Sequence, residues 1–193
     1  MTKDRILEVA LSLFATNGYE GTTLTEIAKG VGIQKPSIYN HFKSKEEIFI
    51  TIFENILWAH VQEVKKQMER IKELSTEEQL FQILSITFQY NLDYKEQTAF
   101  LKRALIFPPN TLKEQLNTQF ILSEEALSAI LHTILEEGMK KEEIRRANIE
   151  DLIISFYCLI DGIFIELSYY GEEKMTPRIP NIWKNFWCGI QNH

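Results

Sequence analysis

Between Lys29 and Lys45 the chain carries four lysines, one histidine and no acidic residue, although its formal net charge is −6. Interleaved with them are Ser37, Tyr39 and Asn40. Ammonium, imidazole, hydroxyl and amide groups at this density are donors for phosphate oxygens and base edges. The chemistry they point to is docking on a polyanion. Because the rest of the chain is acidic, that docking is local and oriented rather than a coating of the whole surface.

The elements that must position these groups are legible around them. Thr23 and Glu26 have the spacing of a capping box, which opens a helix by satisfying backbone N–H groups reciprocally. Ile27, Ala28 and Val31 then share one apolar face, and Gly32 suits a left-handed turn. Lys35 and Pro36 occupy the first turn of a second short helix, where the missing proline N–H does no harm. Ile38 and Phe42, four apart, point inward and leave Lys35, Ser37, Tyr39, Asn40 and His41 on the exposed side and its margin. Two short helices joined by a tight turn predict a DNA-reading helix-turn-helix. The same geometry also occurs in helical proteins that bind nothing, and four lysines can simply solvate a surface. Individually, Tyr39 also reads as a packing residue, Lys45 as a solvated lysine and His41 as half-buried.

With these residues in view, the first fifty or so positions resemble the DNA-binding domain of the TetR family of bacterial transcriptional repressors. The resemblance is carried by Ile6, Leu7, Ala10, Leu13 and Phe14 with Asn17-Gly18-Tyr19; by Thr22-Thr23, Ile27 and Ala28; by Gly32-Ile33 and Lys35; and by Ile38-Tyr39, His41-Phe42 and Ser44-Lys45-Glu46. It implies that Thr23, Lys35, Pro36, Ser37, Tyr39, Asn40, His41 and Lys45 sit at or among positions that meet phosphate or bases. Gln34 departs from a frequent serine N-cap and Pro36 from a frequent glycine, which alters the contact set at the start of the recognition helix.

Downstream the periodicity is helical throughout and strand alternation is absent. Ser44 and Glu47 predict a long helix to about Lys72, Thr76 and Gln79 open another, a shorter one runs from about Glu96 to Pro108-Pro109, and a fourth from near Thr111 ends at Gly138. Residues 149–170 are apolar on nearly all sides, and 179–190 carry a broad aromatic stripe. A helix apolar all round needs partners on both faces, so these two segments are expected either to join a homodimer or to be simply internal. The fold class is therefore all-α. An N-terminal three-helix helix-turn-helix DNA-binding domain, residues 1–47, precedes a C-terminal helical ligand-binding and dimerisation domain, residues 48–193. A dimer would read an inverted-repeat operator on double-stranded DNA through recognition helices one DNA turn, about 34–36 Å, apart.

Resemblance to the family implies a small-molecule effector in the C-terminal domain that re-spaces the recognition helices, with the long helix from Ser44 as lever. Arg103, His132 and Asp161 are polar residues in apolar helices and are the ligand-binding candidates, each equally readable as a partnered core or interface residue. No cofactor or metal is expected. Histidines His41, His60, His132 and His193 are scattered, and HExxH, GxSxG, P-loop and GxGxxG patterns are absent, so no enzyme is indicated. Cys158 and Cys188 are too few for a disulfide scaffold and fit reduced thiols in a cytoplasmic protein. The apolar stretch from Leu152 to Leu167, interrupted by Asp161 and Glu166, is expected to be too short to cross a bilayer.

Overall fold

The structure, a computed structural model, describes residues 2–192; His193 lies outside the described residues. The fold is all-α, as expected. The helices are α1 (Thr2–Asn17), α2 (Leu24–Val31), α3 (Lys35–Ile38), α4 (Lys45–Ile71), α5 (Thr76–Asp93), α6 (Lys95–Ile106), α7 (Lys113–Lys140), α8 (Ile149–Met175) and α9 (Ile179–Ile190). A 3-10 turn at Thr176–Arg178 joins the last two, and Ile144 pairs with Gln191 in an isolated antiparallel bridge.

The chain forms two compact units. One comprises the chain up to Ala59 together with Tyr94–Ser123, so it reaches beyond the 1–47 segment expected to read DNA. The other comprises His60–Asp93 and the chain from Glu124 onward. Helices α4 and α7 each begin in the first unit and end in the second.

The first unit is built on a core that includes Ile6, Ala10, Phe14, Ile27, Ile38, Phe42, Ile48, Phe53 and Phe100. Aromatic rings dominate its centre. Phe49 meets Phe14 edge-on at 5.0 Å between centroids and lies 4.7 Å from Phe100, separations at which ring pairs attract beyond their area burial. Helix α6 secures the open end of α1: Arg103 Nε and Nη2 donate to the Ala15 and Thr16 carbonyls, both at 2.9 Å, and Ser12 Oγ donates to Glu96. Those carbonyls belong to the last turn of α1, which lacks partners within its own helix.

The second unit is organised around Leu80, Leu84, Leu131, Leu135, Phe156 and Trp183, with Trp183 and Trp187 stacked at 6.2 Å. The cap that opens α5 falls one residue earlier than expected. Ser75 and Glu78 form the reciprocal pair, while Thr76 and Gln79 are buried. Their polar groups go to tertiary partners: the Thr76 N–H donates to Glu143, and Gln79 Nε2 donates to the Lys72 and Leu74 carbonyls. Gly138 is likewise not a terminator, since α7 continues to Lys140. A Cβ there would stand 2.6 Å from Thr76 Cγ2, so the glycine permits the close approach of α7 to the start of α5.

Helix α8 runs five residues past the expected end, to Met175, but its backbone breaks at Gly171, where φ is 73°. An 18-residue window within 149–190 has a mean hydropathy of 1.7, so by length and composition this helical stretch is apolar enough to cross a membrane, although the segment Leu152–Leu167 alone was expected to be too short. The structure instead seats Leu152, Ile153, Phe156 and Ile163 of this helix in the unit's core. Ile154 and Tyr169 on its other side are exposed at 59% and 79%, a face without a partner within the chain.

Substituting Gly138→Ala tests the packing at this crossing. The overpacking cost of roughly 1–3 kcal/mol outweighs a helix-propensity gain of at most about 1 kcal/mol. Urea unfolding is expected to show a net loss of about 1 kcal/mol; a gain would mean the helices do not approach this closely.

Candidate nucleic-acid interface

Helix α2 is set by local chemistry. Glu26 N–H donates to Thr23 Oγ1 at 3.2 Å, and the Glu26 carboxylate receives both the Thr23 N–H and hydroxyl at 2.8 Å. These bonds from Thr23, side chain first and backbone second, hold the Glu26 carboxyl below its usual range. Gly32 ends the helix at φ 80°, with Ile33 N–H donating to the Ala28 carbonyl at 3.0 Å. A residue with a side chain adopts that conformation at a cost.

Helix α3 is only four residues long, because Tyr39 to His41 continue it as a turn rather than as helix. Gln34 offers no side-chain cap. What holds the segment is burial: Ile38 is fully buried and Phe42 is 2% exposed, with Phe42 N–H donating to the Ile38 carbonyl at 3.0 Å. This leaves Lys35, Pro36, Tyr39, Asn40 and His41 exposed and Ser37 half-buried, so the structure gathers six of the eight expected positions on one short strip. Tyr39 is 52% exposed and His41 is exposed, which removes their packing alternatives. Lys29 and Lys43 are exposed too, and the same acid-free run that singled out the strip contains them.

The remaining two positions have structural work. Thr23 spends its hydroxyl on the α2 cap. Lys45 is half-buried: Nζ donates to the Tyr19 carbonyl at 2.7 Å and the Thr22 carbonyl at 3.0 Å and lies 4.0 Å from the centre of the Tyr19 ring. The Tyr19 hydroxyl in turn donates to Glu46. Burial first, then that carboxylate, pushes the Tyr19 phenol well up, while the hydrogen bond from Tyr19 holds the Glu46 carboxyl down. Lys45 is thus the clasp that fastens the α1–α2 connection to the start of α4. No spacing rule could have announced it, since its partners lie 26 and 23 residues away.

The three ligand candidates are not brought together. Arg103 lies in the first unit, fastened to the end of α1. His132 is exposed on α7. Asp161 stands on the accessible side of α8, where desolvation by its surroundings pushes its carboxyl up. Nearby in the same unit the Tyr157 hydroxyl donates to the Glu124 carbonyl at 3.0 Å and pairs with Ser128. An apolar crevice lies instead between α5 and α8, lined by residues including Leu84, Phe88, Ile160 and Phe164, with Thr87 and Asn91 as its polar members. Its free volume of about 10 Å³ admits about one water molecule. Thr87 Oγ1 donates to the Ile83 carbonyl, so His60 Nε2, 3.1 Å away, is the donor to Thr87. The His60 ring also meets Tyr90 edge-on at 5.3 Å. Thr87 and Asn91 could have been suspected as polar residues on the inward face of an amphipathic helix. Among the described residues no cluster of His, Cys, Asp or Glu has the arrangement of a metal site.

The family profile described as "Bacterial regulatory proteins, tetR family" matches residues 6–52. The regulator QacR of Staphylococcus aureus is 37% identical over 139 residues, covering 70% of each chain. The Bacillus subtilis protein YttP is 26% identical over 191 residues, covering 98% of this chain and 90% of that protein. Among solved structures, FadR of Bacillus subtilis in complex with stearoyl-CoA superposes with a TM-score of 0.79 at 23% identity, over 97% of this chain and 98% of that one.

Two outcomes follow from this geometry. Lys45→Met is expected to cost about 1–3 kcal/mol of stability, from two charge-assisted hydrogen bonds and a cation–π contact. Exposed Lys35→Ala should stay within about 0.5 kcal/mol of the parent, and equal losses in denaturant titrations would refute the distinction. Burial pushes the His60 pKa down to about 4 from an ordinary value of 6.5. The unfolded chain therefore binds the extra proton as pH falls below 6.5 while the folded one resists it until about 4. Stability from this group is complete above 6.5 and is lost across that window. Denaturation midpoints on acidification should fall more steeply for the parent than for His60→Gln, which keeps a donor for Thr87; parallel curves would exclude His60.

Proposed function

The chain belongs to the TetR family of bacterial regulatory proteins, and on that premise we propose that it is a dimeric, ligand-responsive transcriptional repressor acting in the cytoplasm. Residues 1–47 serve as the DNA-binding domain and 48–193 as the sensing and dimerising domain. The observation that carries this reading is the exposed, acid-free strip from Lys35 to His41, held by the buried anchors Ile38 and Phe42. Lys35, Lys29 and Lys43 supply phosphate contacts, and Tyr39, Asn40 and His41 supply donors for phosphate or base edges. Pro36 and Ser37 set how closely the first turn of α3 approaches the duplex.

Dimerisation places two such strips on an inverted-repeat operator, about 34–36 Å apart. The unpartnered apolar face of α8, with α9 beside it in the chain, supports a four-helix interface between copies, since an exposed face of this kind marks an association surface. The effector is a predominantly apolar small molecule entering the α5–α8 crevice. Hydrocarbon lines most of that crevice, and the polar groups of Thr87 and Asn91 are already engaged. The bound fatty acyl-CoA of the FadR neighbour is a ligand of compatible character. Since the crevice is nearly closed, binding must part its walls, and α4, continuous from Lys45 to Ile71, carries the displacement toward the recognition strip.

The experiment is selection of genomic fragments by the purified protein at low and physiological salt, alongside Lys35→Ala/Tyr39→Ala. Lys45 is left intact because it is structural. Enrichment of one inverted repeat by the parent, lost in the variant with folding and dimerisation retained, is the expected result. In Lys35→Ala alone the salt dependence of dimer binding should flatten by about two units of slope, one for each subunit's lost phosphate contact. Binding that is indifferent to sequence and to both substitutions would reject the proposal.

A further inference from the structure

The first unit contains a cavity of about 170 Å³ that neither the DNA-reading strip nor the α5–α8 crevice uses. Its walls are aromatic, formed by Phe14, Tyr19, Phe49 and Phe107. Among the described residues that line it, Arg103 is the charged one. An engineered apolar cavity of about 150 Å³ accommodates benzene, so this space suits one six-membered ring.

The guanidinium is arranged to receive an anion. Nε and Nη2 are spent on the Ala15 and Thr16 carbonyls, which fixes the plane of the group, while Nη1 makes no hydrogen bond among the described residues. Gly18 lies beside Nη1 at the cavity: a Cβ there would stand 3.5 Å from Nη1, in van der Waals contact. Gly18 also has φ 75°, a conformation the turn requires and glycine adopts at little cost. Phe107, at the end of α6, is 79% exposed although it lines the cavity. A large ring left in water at the mouth of an aromatic pocket has apolar area still to bury.

We propose that this cavity is a second small-molecule site, specific for a monocyclic aromatic carboxylate: the ring lies against the contacting cluster of Phe14, Tyr19 and Phe49, the carboxylate accepts from Arg103 Nη1, and Phe107 covers it. Neither aromatic walls alone nor a surface arginine alone would select this class; a neutral ring lacks the charge-assisted bond and a small carboxylate lacks the ring burial. Occupancy acts on the DNA-reading unit from within, because Tyr19 is also the residue that Lys45 and Glu46 hold.

The test is titration of the full chain with phenylacetate and benzoate by calorimetry, with benzyl alcohol and acetate as controls, and ring-proton NMR to locate the bound molecule. The variants are Arg103→Gln and Phe107→Ala. The expected result is saturable binding of one carboxylate per chain, contacts to Phe14 and Phe49, and a roughly tenfold loss in each variant and for each control. Because Phe107 is exposed, its variant should keep the parent's thermal unfolding and decides the question even if Arg103→Gln does not fold. Absence of saturable binding, contacts mapping to α5 and α8, or affinity unchanged in Phe107→Ala would overturn the proposal. All of these readouts are independent of DNA binding.

Discussion

A single ammonium group fastens the local geometry of the first unit. The connection between α1 and α2 turns tightly through Gly18 to Thr22, and such a turn leaves carbonyl oxygens that its own backbone cannot satisfy. Lys45 supplies two of the missing donors and lies over the Tyr19 ring, and Tyr19 completes the arrangement through Glu46. Since Lys45 and Glu46 open α4, and Ile48 and Phe49 three residues on are buried, the turn, the capped α2 and the recognition strip are all referred to one helix start. Rigid presentation matters here because bonds to phosphate and base edges lose their value when the groups that make them must first be ordered.

The second unit uses the same principle with different groups. Its crossing of α7 and α5 is close because Gly138 has no side chain, and the polar groups buried by that closeness are satisfied by Glu143 and by the Lys72 and Leu74 carbonyls of the turn after α4. No buried side-chain polar atom among the described residues is left without a partner. The apolar outer face of α8 is the contrast: its hydrocarbon has not been covered, which supports the proposed association of copies there.

The proposed recognition and sensing roles place opposite demands on these units. A strip that reads bases needs fixed anchors, which Ile38 and Phe42 provide. A crevice proposed to admit an apolar effector needs packing that can part at modest cost, and a seam filled by aliphatic and phenyl groups, with about 10 Å³ to spare, has mostly non-directional contacts to break.

What the sequence by itself determined is whatever depends on neighbours within a turn or two of helix. The all-α class, the Thr23–Glu26 cap, the left-handed Gly32, the inward Ile38 and Phe42 and the basic strip between them are products of periodicity, capping and local charge. Where a local rule had two solutions one residue apart, it missed: Ser75 rather than Thr76 caps α5, because Glu143, 67 residues from Thr76, claims the Thr76 N–H. Gly138 looked like a helix stop because nothing in its own segment announces the side chain of Thr76 against it. Only the tertiary structure decided that Lys45 faces inward, that Arg103 caps the end of α1 rather than a pocket of the second unit, and that Thr87 and Asn91 line the crevice. Each of these is a pairing or a proximity across tens of residues, and a long flexible side chain gives no periodic sign of which distant carbonyl it will meet.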